Sequence, residues 1–270
     1  MRNKIRKFFS RRLMPAYWKW STKSFRDNLS AETSEALENL GHEISYNKYG
    51  GYCVPFSSRH RPAAQKILCN KIYEPKTIEY MIKNCGRGDI VHAGTYFGDF
   101  VPALSRAAAA DAKVWAFEPN PENYLCAKIT IEINGLKNVV LTNAGLGDKH
   151  ETVFMQTVDE DGRALGGASQ IIPGLSRDDA GSVPVKIVRV DDSVDPGREV
   201  SILQLDVEGH LKEALSGSLE TIRRCLPIII LEVFPDRTLL DSDWFSENIL
   251  SLGYSETDKL HENAVFSRSK

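Results

Sequence analysis

The chain has 270 residues, 42% of them hydrophobic and 26% charged. At roughly 100 to 200 residues per domain that is one large domain, or one domain with an extension. These proportions exclude a disordered, fibrous or collagen-like chain, and no apolar run approaches the roughly 18 residues that cross a bilayer. The net charge of −2 conceals an asymmetry: residues 1–26 carry nine Lys or Arg and no acid, which leaves the remainder with 25 cations against 36 acids, a net −11. An acidic body argues against a nucleic-acid groove, which needs cations to displace counterions from phosphates.

In the basic arm, residues 1–26, Ile5, Phe8, Phe9, Leu13, Tyr17 and Trp20 recur at three- and four-residue steps between the cations. This is the pattern of a basic amphipathic helix that Pro15 kinks or ends. Such a helix either lies on an anionic membrane surface as a peripheral contact or packs on its own domain. The arm lacks the uninterrupted apolar stretch of a secretory signal. Residues 27–86 read as a helical and irregular N-terminal extension. Ser30 begins a helix through Leu40, closed by Gly41, and Lys76 to Asn84 gives another, closed by Gly86. Between them Gly50, Gly51, Pro55 and Pro62 punctuate the chain too often for a long element.

From residue 87 to residue 270 strands alternate with helices, the pattern of a parallel sheet with crossover helices. The expected order is strand Ile90–Ala93, helix Asp99–Ala110, strand Lys113–Phe117, helix Pro121–Ile133 and strand Val139–Thr142. A β-rich insertion or edge over Glu151–Val190 surrounds a Gly-rich tract, Gly162–Gly174, whose stretch Gly162–Ser169 is read either as a flexible rim over an acceptor or as a solvated loop. The alternation resumes with strand Val200–Asp206, helix Leu211–Arg224, strand Pro227–Phe234 and helix Asp243–Leu252. A final strand pair near Tyr254 and Ala264–Ser267 is expected to make one edge antiparallel. The five cysteines (Cys53, Cys69, Cys85, Cys126, Cys225) include no CxxC pair, which suits a reducing compartment and hence a cytoplasmic location.

Ligands of an open parallel sheet bind outside the carboxyl ends of the strands, where the strand order reverses. At the first such end stands His92-Ala93-Gly94-Thr95-Tyr96-Phe97-Gly98-Asp99. Its glycines let a ligand approach backbone and helix N–H groups, or serve only the turn; no GK[ST] follows, so it is not a P-loop. The second strand ends in Phe117-Glu118-Pro119-Asn120-Pro121. A carboxylate about 20 residues after a glycine turn is where a ribose diol is held, whereas a plain alternative makes Glu118 a charge stabilised by a helix dipole. Asn120 is a plausible N-cap with Pro121 at the first helical position. Asp206, Glu208, His210 and Glu232 end two further strands, and such rim clusters are candidates for acid–base work; one of Asp206 and Glu208 can alternatively serve as a helix cap.

These residues carry a family resemblance. Gly88 to Glu232 resembles the FkbM-type S-adenosylmethionine-dependent methyltransferases through Phe117-Glu118-Pro119-Asn120-Pro121-Glu122-Asn123-Tyr124, Asn134-Gly135-Leu136-Lys137-Asn138-Val139, Leu146-Gly147-Asp148, Leu205-Asp206-Val207-Glu208-Gly209 and Leu215-Ser216-Gly217. His92 stands where the family's first motif has an acid, Thr95-Tyr96 replace Ala-Asn, and Leu211 stands where a further acid is common. The resemblance implies a Rossmann-like class I methyltransferase fold: a seven-stranded, mostly parallel sheet with an antiparallel edge strand. It also implies S-adenosyl-L-methionine as donor and O-methylation of a carbohydrate, glycolipid-like or polyketide-like hydroxyl. On that basis His92, Gly94, Thr95 and Gly98 border the methionine part, and Glu118, Pro119 and Asn120 the ribose. Asn143, Ala144 and Gly145 border the adenine. Asp206, Glu208 and His210 face the acceptor, with Asp206 also beside the donor and Glu232 in support. A resident metal is not expected; a magnesium ion on Asp206, Glu208 and Glu232 is the alternative. The rival functions are a non-catalytic module of the same fold and a nucleic-acid methyltransferase using residues 1–26 as its handle.

Overall fold

The structure, a computed structural model, describes residues 29–233 and 236–268; the basic arm lies outside the described residues. Before the alternation come α1 (Ala31–Asn39), β1 (His42–Asn47), β2 (Gly50–Pro55), α2 (Pro62–Leu68) and α3 (Pro75–Asn84). The first half of the alternation is β3 (Asp89–Ala93), α4 (Val101–Ala107), β4 (Val114–Phe117), α5 (Pro121–Ile133) and β5 (Val139–Thr142). The insertion holds β6 (Gly145–Leu146), β7 (Glu151–Gln156), β8 (Gln170–Ile171), β9 (Ser182–Val188) and α6 (Val190–Ser193). The second half is β10 (Val200–Leu205), α7 (Leu211–Ser216), α8 (Leu219–Cys225), β11 (Ile228–Glu232), α9 (Asp243–Asn248), β12 (Tyr254–Leu260) and β13 (Asn263–Arg268). Among the described residues no helix is long and apolar enough to cross a membrane.

The central sheet has seven strands in the order β12-β13-β11-β10-β3-β4-β5. β11, β10, β3, β4 and β5 pair in parallel, and β13 runs antiparallel to both β11 and β12. The reversed strand of the C-terminal hairpin thus sits one place in from the edge. The chain leaves β3 outward through β4 and β5, then returns to β10 on its other side, so the strand order reverses between β3 and β10, where such sheets bind ligands. Both faces are covered, which is why the strands read as apolar runs. Val91, Ala93, Leu203, Leu205, Ile229 and Leu231 face one core with Leu215, Ile222 and Phe245. Ile90, Ile202 and Ile230 face the other with Met81, Phe100 and Leu104.

Two departures from the sequence reading have physical causes. The extension expected to be helical and irregular contains the antiparallel hairpin β1/β2. Gly50 and Gly51 are close-packing positions rather than breaks: a Cβ would stand 2.3 Å from Asn134 Oδ1 at the first and 2.8 Å from the Tyr46 ring at the second. Asn134 of the α5 terminus accepts from Gly51 N at 3.1 Å and donates to Gly51 O at 2.7 Å, and Cys53 N donates to Thr130 Oγ1 at 3.0 Å. Tyr52, Cys53 and Val54 thereby join Phe97, Cys126 and Ile129 in one core cluster. The expected helix Leu211–Arg224 is two helices, because a Cβ on Gly217 would lie 1.9 Å from the Gly147 carbonyl and the chain turns there instead. The insertion folds as its own four-stranded sheet, β6-β9-β7-β8, leaning over the carboxyl end of β4.

Candidate functional site

The corner after β3 is built on backbone that favours glycine: φ is +79° at Gly94, +51° at Tyr96 and +84° at Gly98. Gly94 brings two strand ends together. A Cβ there would stand 2.1 Å from the Asp206 carbonyl, and Asp206 N donates to Ala93 O at 3.2 Å. Gly98 instead packs on α5, with Thr130 Cγ2 at 3.2 Å from a built Cβ. Gly94→Ala is therefore expected to push β10 away from β3, costing about 1 to 3 kcal/mol. It should lower the melting temperature by several degrees, whereas Gly162→Ala, whose added Cβ meets nothing within 4 Å, should cost less; thermal melts of the two variants check this.

Glu118, at the end of β4, is 4% exposed. Its Oε2 accepts from Tyr96 N at 2.7 Å, and its Oε1 from Asn120 N at 2.9 Å and Asn123 Nδ2 at 3.3 Å. The residue thus ties the β3 corner to the start of α5. Asn120 caps that helix, accepting from Glu122 N and Asn123 N, and its Nδ2 donates to Ser169 Oγ at 3.1 Å. A carboxylate has roughly four acceptor positions, so one remains for a ligand. Burial pushes Glu118 up to about 8 against the pull of these three donors.

Glu118 lines a cleft with Gly94, Pro119, Ala144, Gly145, Asp206, Glu208 and His210. Its apolar wall comes from Phe117, Leu146, Met155 and Ile171. Gly167 and Ser169 of the Gly-rich tract close it. That tract is no free rim here. The turn Gly166–Ala168 is fixed by Asn123 Nδ2 donating to Gly166 O at 3.1 Å, and a Cβ on Gly166 would meet Tyr96 Oη at 2.6 Å.

Beside the cleft, carboxylate oxygens of Asp206, Glu208 and Glu232 all lie within 4.8 Å of one another. Burial raises Asp206 well above the usual carboxylate range, followed by a hydrogen bond shared with Glu232 and by the charges of Glu232, Glu208 and Glu74. Burial and then Glu232 push Glu208 up to about 7, with Arg61 opposing. Glu74, in a left-handed turn at φ 42° before α3, is raised by burial and Glu232. Asp99 is pushed up to about 7 by burial and Glu74.

These shifts fix the direction of the chain's pH response. From about pH 6.5 upward His92 is neutral in the fold and at most half protonated in the unfolded chain, a small opposing effect, while Asp99 and Glu118 folded still hold protons that the unfolded chain has released near pH 4. Folding then binds protons, so the unfolding free energy falls as pH rises towards about 8. The melting temperature at pH 6.5 should exceed that at pH 8.5, and Glu118→Gln should reduce the difference; calorimetry at the two pH values checks it.

The structure brings Gly94, Glu118, Pro119, Ala144, Gly145, Asp206, Glu208 and His210 to one cleft, with Glu232 adjoining. Others lie elsewhere. His92 does not border the cleft: Ala93 faces it, and in a strand the neighbouring side chain points to the opposite face. There His92 stacks on Phe100 at 5.3 Å and bonds Gln204 through Nδ1, and burial lowers it to about 4. Thr95 is fully buried, its Oγ1 donating to His92 O at 3.2 Å. Gly98 and Asn120 hold α5. Asn143 is exposed and braces the Glu118 turn, donating to Glu118 O at 2.8 Å. Sequence reasoning missed Met155 and Ile171; the alternation in β7 signals the first, and no local pattern marks the second, whereas Ser169 belongs to the stretch read as a rim. It also missed Glu74 and Asp99, which only the tertiary fold brings to the cluster.

The model of the methyltransferase FkbM domain matches residues 92–254. No curated protein matches the chain significantly. Among solved structures, methyltransferase FkbM from Methylobacillus flagellatus KT is similar at 17% identity and a TM-score of 0.47, over 67% of this chain and 43% of that one. This chain therefore spans less than half the length of that relative. A SAM-dependent methyltransferase from Aquifex aeolicus is similar at 15% identity and a TM-score of 0.41, over 76% of this chain and 91% of the other. M. jannaschii TYW2 in complex with AdoMet is similar at 14% identity and a TM-score of 0.42, over 85% and 88%.

Proposed function

The chain belongs to the FkbM methyltransferase family, and from that premise we propose that it transfers a methyl group from S-adenosylmethionine to a hydroxyl of a carbohydrate, glycolipid-like or polyketide-like acceptor. The observation that carries this reading is the contact between the donor corner and the acid cluster at Gly94 and Asp206, which shares one cleft between Glu118 and Glu208. The residues present suit the donor. Glu118 keeps an acceptor position for a ribose hydroxyl, and Ala144, Leu146 and Met155 give an apolar shelf for a base. When bound, the donor supplies an already activated methyl group.

The chain's own task is then alignment and proton removal. The strand ends that carry Gly94, Glu118 and Asp206 would hold donor and acceptor side by side, and such positioning lowers part of the barrier. An alcohol must lose its proton as the new bond forms; Asp206 and Glu208 face the space where it would stand, and a free carboxylate oxygen takes that proton. Glu232 shares a hydrogen bond with Asp206 from the neighbouring strand. An acidic mouth suits a neutral polyol and repels nucleic-acid phosphates, which favours this reading over a nucleic-acid substrate. The test is transfer of labelled methyl from S-adenosylmethionine to a panel of sugars, lipid-linked glycans and small hydroxylated compounds. Labelled ether products are expected; label appearing only in RNA would contradict the acceptor class.

A further inference from the structure

The geometry points to a divalent-cation site of the magnesium or manganese class at the ends of β10, β11 and β13, with one oxygen each from Asp206, Glu208 and Glu232 and the Oδ1 of Asn263 as fourth ligand. The three carboxylates are half-buried and each presents one oxygen within 4.8 Å of the other two. Three like charges at that separation repel one another, and a cation among them offsets the repulsion. Oxygen donors of this kind suit hard divalent ions.

Asn263 supplies the second and independent observation. It is 2% exposed, and its Oδ1 has no hydrogen-bond partner among the described residues, whereas buried amide oxygens are ordinarily satisfied. The side chain is placed at the cluster from two directions. Asn263 is the cross-strand partner of Glu232 in the antiparallel ladder, so the two side chains project from the same sheet face about 5 Å apart. Its Nδ2 donates to Glu74 Oε2 at 3.0 Å, and that carboxylate also accepts from Thr77 Oγ1 at 2.9 Å. Glu74 therefore fixes which end of the amide is the donor and leaves Oδ1 for the cluster, the way an outer carboxylate orients a metal ligand.

The inference rests on the proposed function in placing the acceptor at these carboxylates and adds what unites them. A cation there draws the acceptor oxygen and makes its proton easier to remove. Since each carboxylate gives the ion one oxygen, its second stays free to take that proton.

The test is binding of Mn²⁺ to the full chain, without donor, followed by electron paramagnetic resonance and calorimetry, with S-adenosylhomocysteine binding measured in parallel. One Mn²⁺ per chain, displaced by Mg²⁺, is expected. Glu232→Gln and Asn263→Leu should each weaken it by about tenfold or more, while Asn263→Asp, which restores an oxygen and adds charge, should bind at least as tightly as the parent. Absence of saturable Mn²⁺ binding, or an affinity unchanged in both weakening variants, overturns the site. If S-adenosylhomocysteine binds and Mn²⁺ does not, the cation site alone falls. If Mn²⁺ binds and S-adenosylhomocysteine does not, the donor reading falls and the cation site stands.

Discussion

Asp206→Asn is expected to lower methyl transfer by about a hundredfold to ten-thousandfold, the range seen when a positioned proton-transfer group is lost. Affinity for the donor should change little. The substitution keeps the side-chain volume and leaves the backbone contact with Gly94 in place, so the corner keeps its shape. It removes one charge from a cluster in which Glu232, Glu208 and Glu74 all oppose that charge. The variant should therefore be at least as stable as the parent at pH 8, which separates lost chemistry from lost fold. Single-turnover transfer alongside calorimetric binding of S-adenosylhomocysteine reads both quantities. Wild-type turnover with weakened binding would place Asp206 at the donor and not at the acceptor.

Glu118→Ala is expected to do the opposite and remove donor binding. A hydrogen bond contributes about 0.5 to 1.5 kcal/mol, so losing the ribose contact alone weakens binding about twofold to tenfold. The loss should be larger in practice. Without the carboxylate, Tyr96 N, Asn120 N and Asn123 Nδ2 lose their acceptor, and each buried orphan costs about 1 to 3 kcal/mol. The corner and the start of α5 would then shift together. Glu118→Gln is the fold-keeping comparison: it fills the same space but turns an amide nitrogen towards N–H donors, so it should bind more weakly than the parent and more tightly than the alanine variant. Calorimetry with S-adenosylhomocysteine on the three proteins gives the order.

What could be read in advance was what local chemistry dictates. Asn120 before Pro121 caps α5 as the spacing predicts, because a side-chain cap and a first-turn proline act within four residues. The alternation predicts the parallel strands, because burial on both sheet faces writes itself as apolar runs. Contacts made at a distance were not legible. Gly50 and Gly51 look like punctuation and Gly217 like a helix interior, yet each is small because a partner from elsewhere in the chain stands within 3 Å of its missing Cβ. His92 sits one residue from the cleft in sequence and on the wrong side of the sheet in space. The period-two alternation of Val91 and Ala93 into one core carried that information, whereas the motif position did not. Glu74 and Asn263 reach the acid cluster from 132 residues before and 57 residues after Asp206, and no spacing rule joins them.

All of these effects presuppose that the cleft between the ends of β3 and β4 holds the donor. The most direct measurement is a crystal structure of the chain with S-adenosylhomocysteine. The account predicts a ribose hydroxyl on Glu118, the base against Ala144 and Leu146, and the sulfur turned towards Asp206. A nucleoside seated away from Glu118, with Asp206 and Glu208 facing empty solvent, would contradict it.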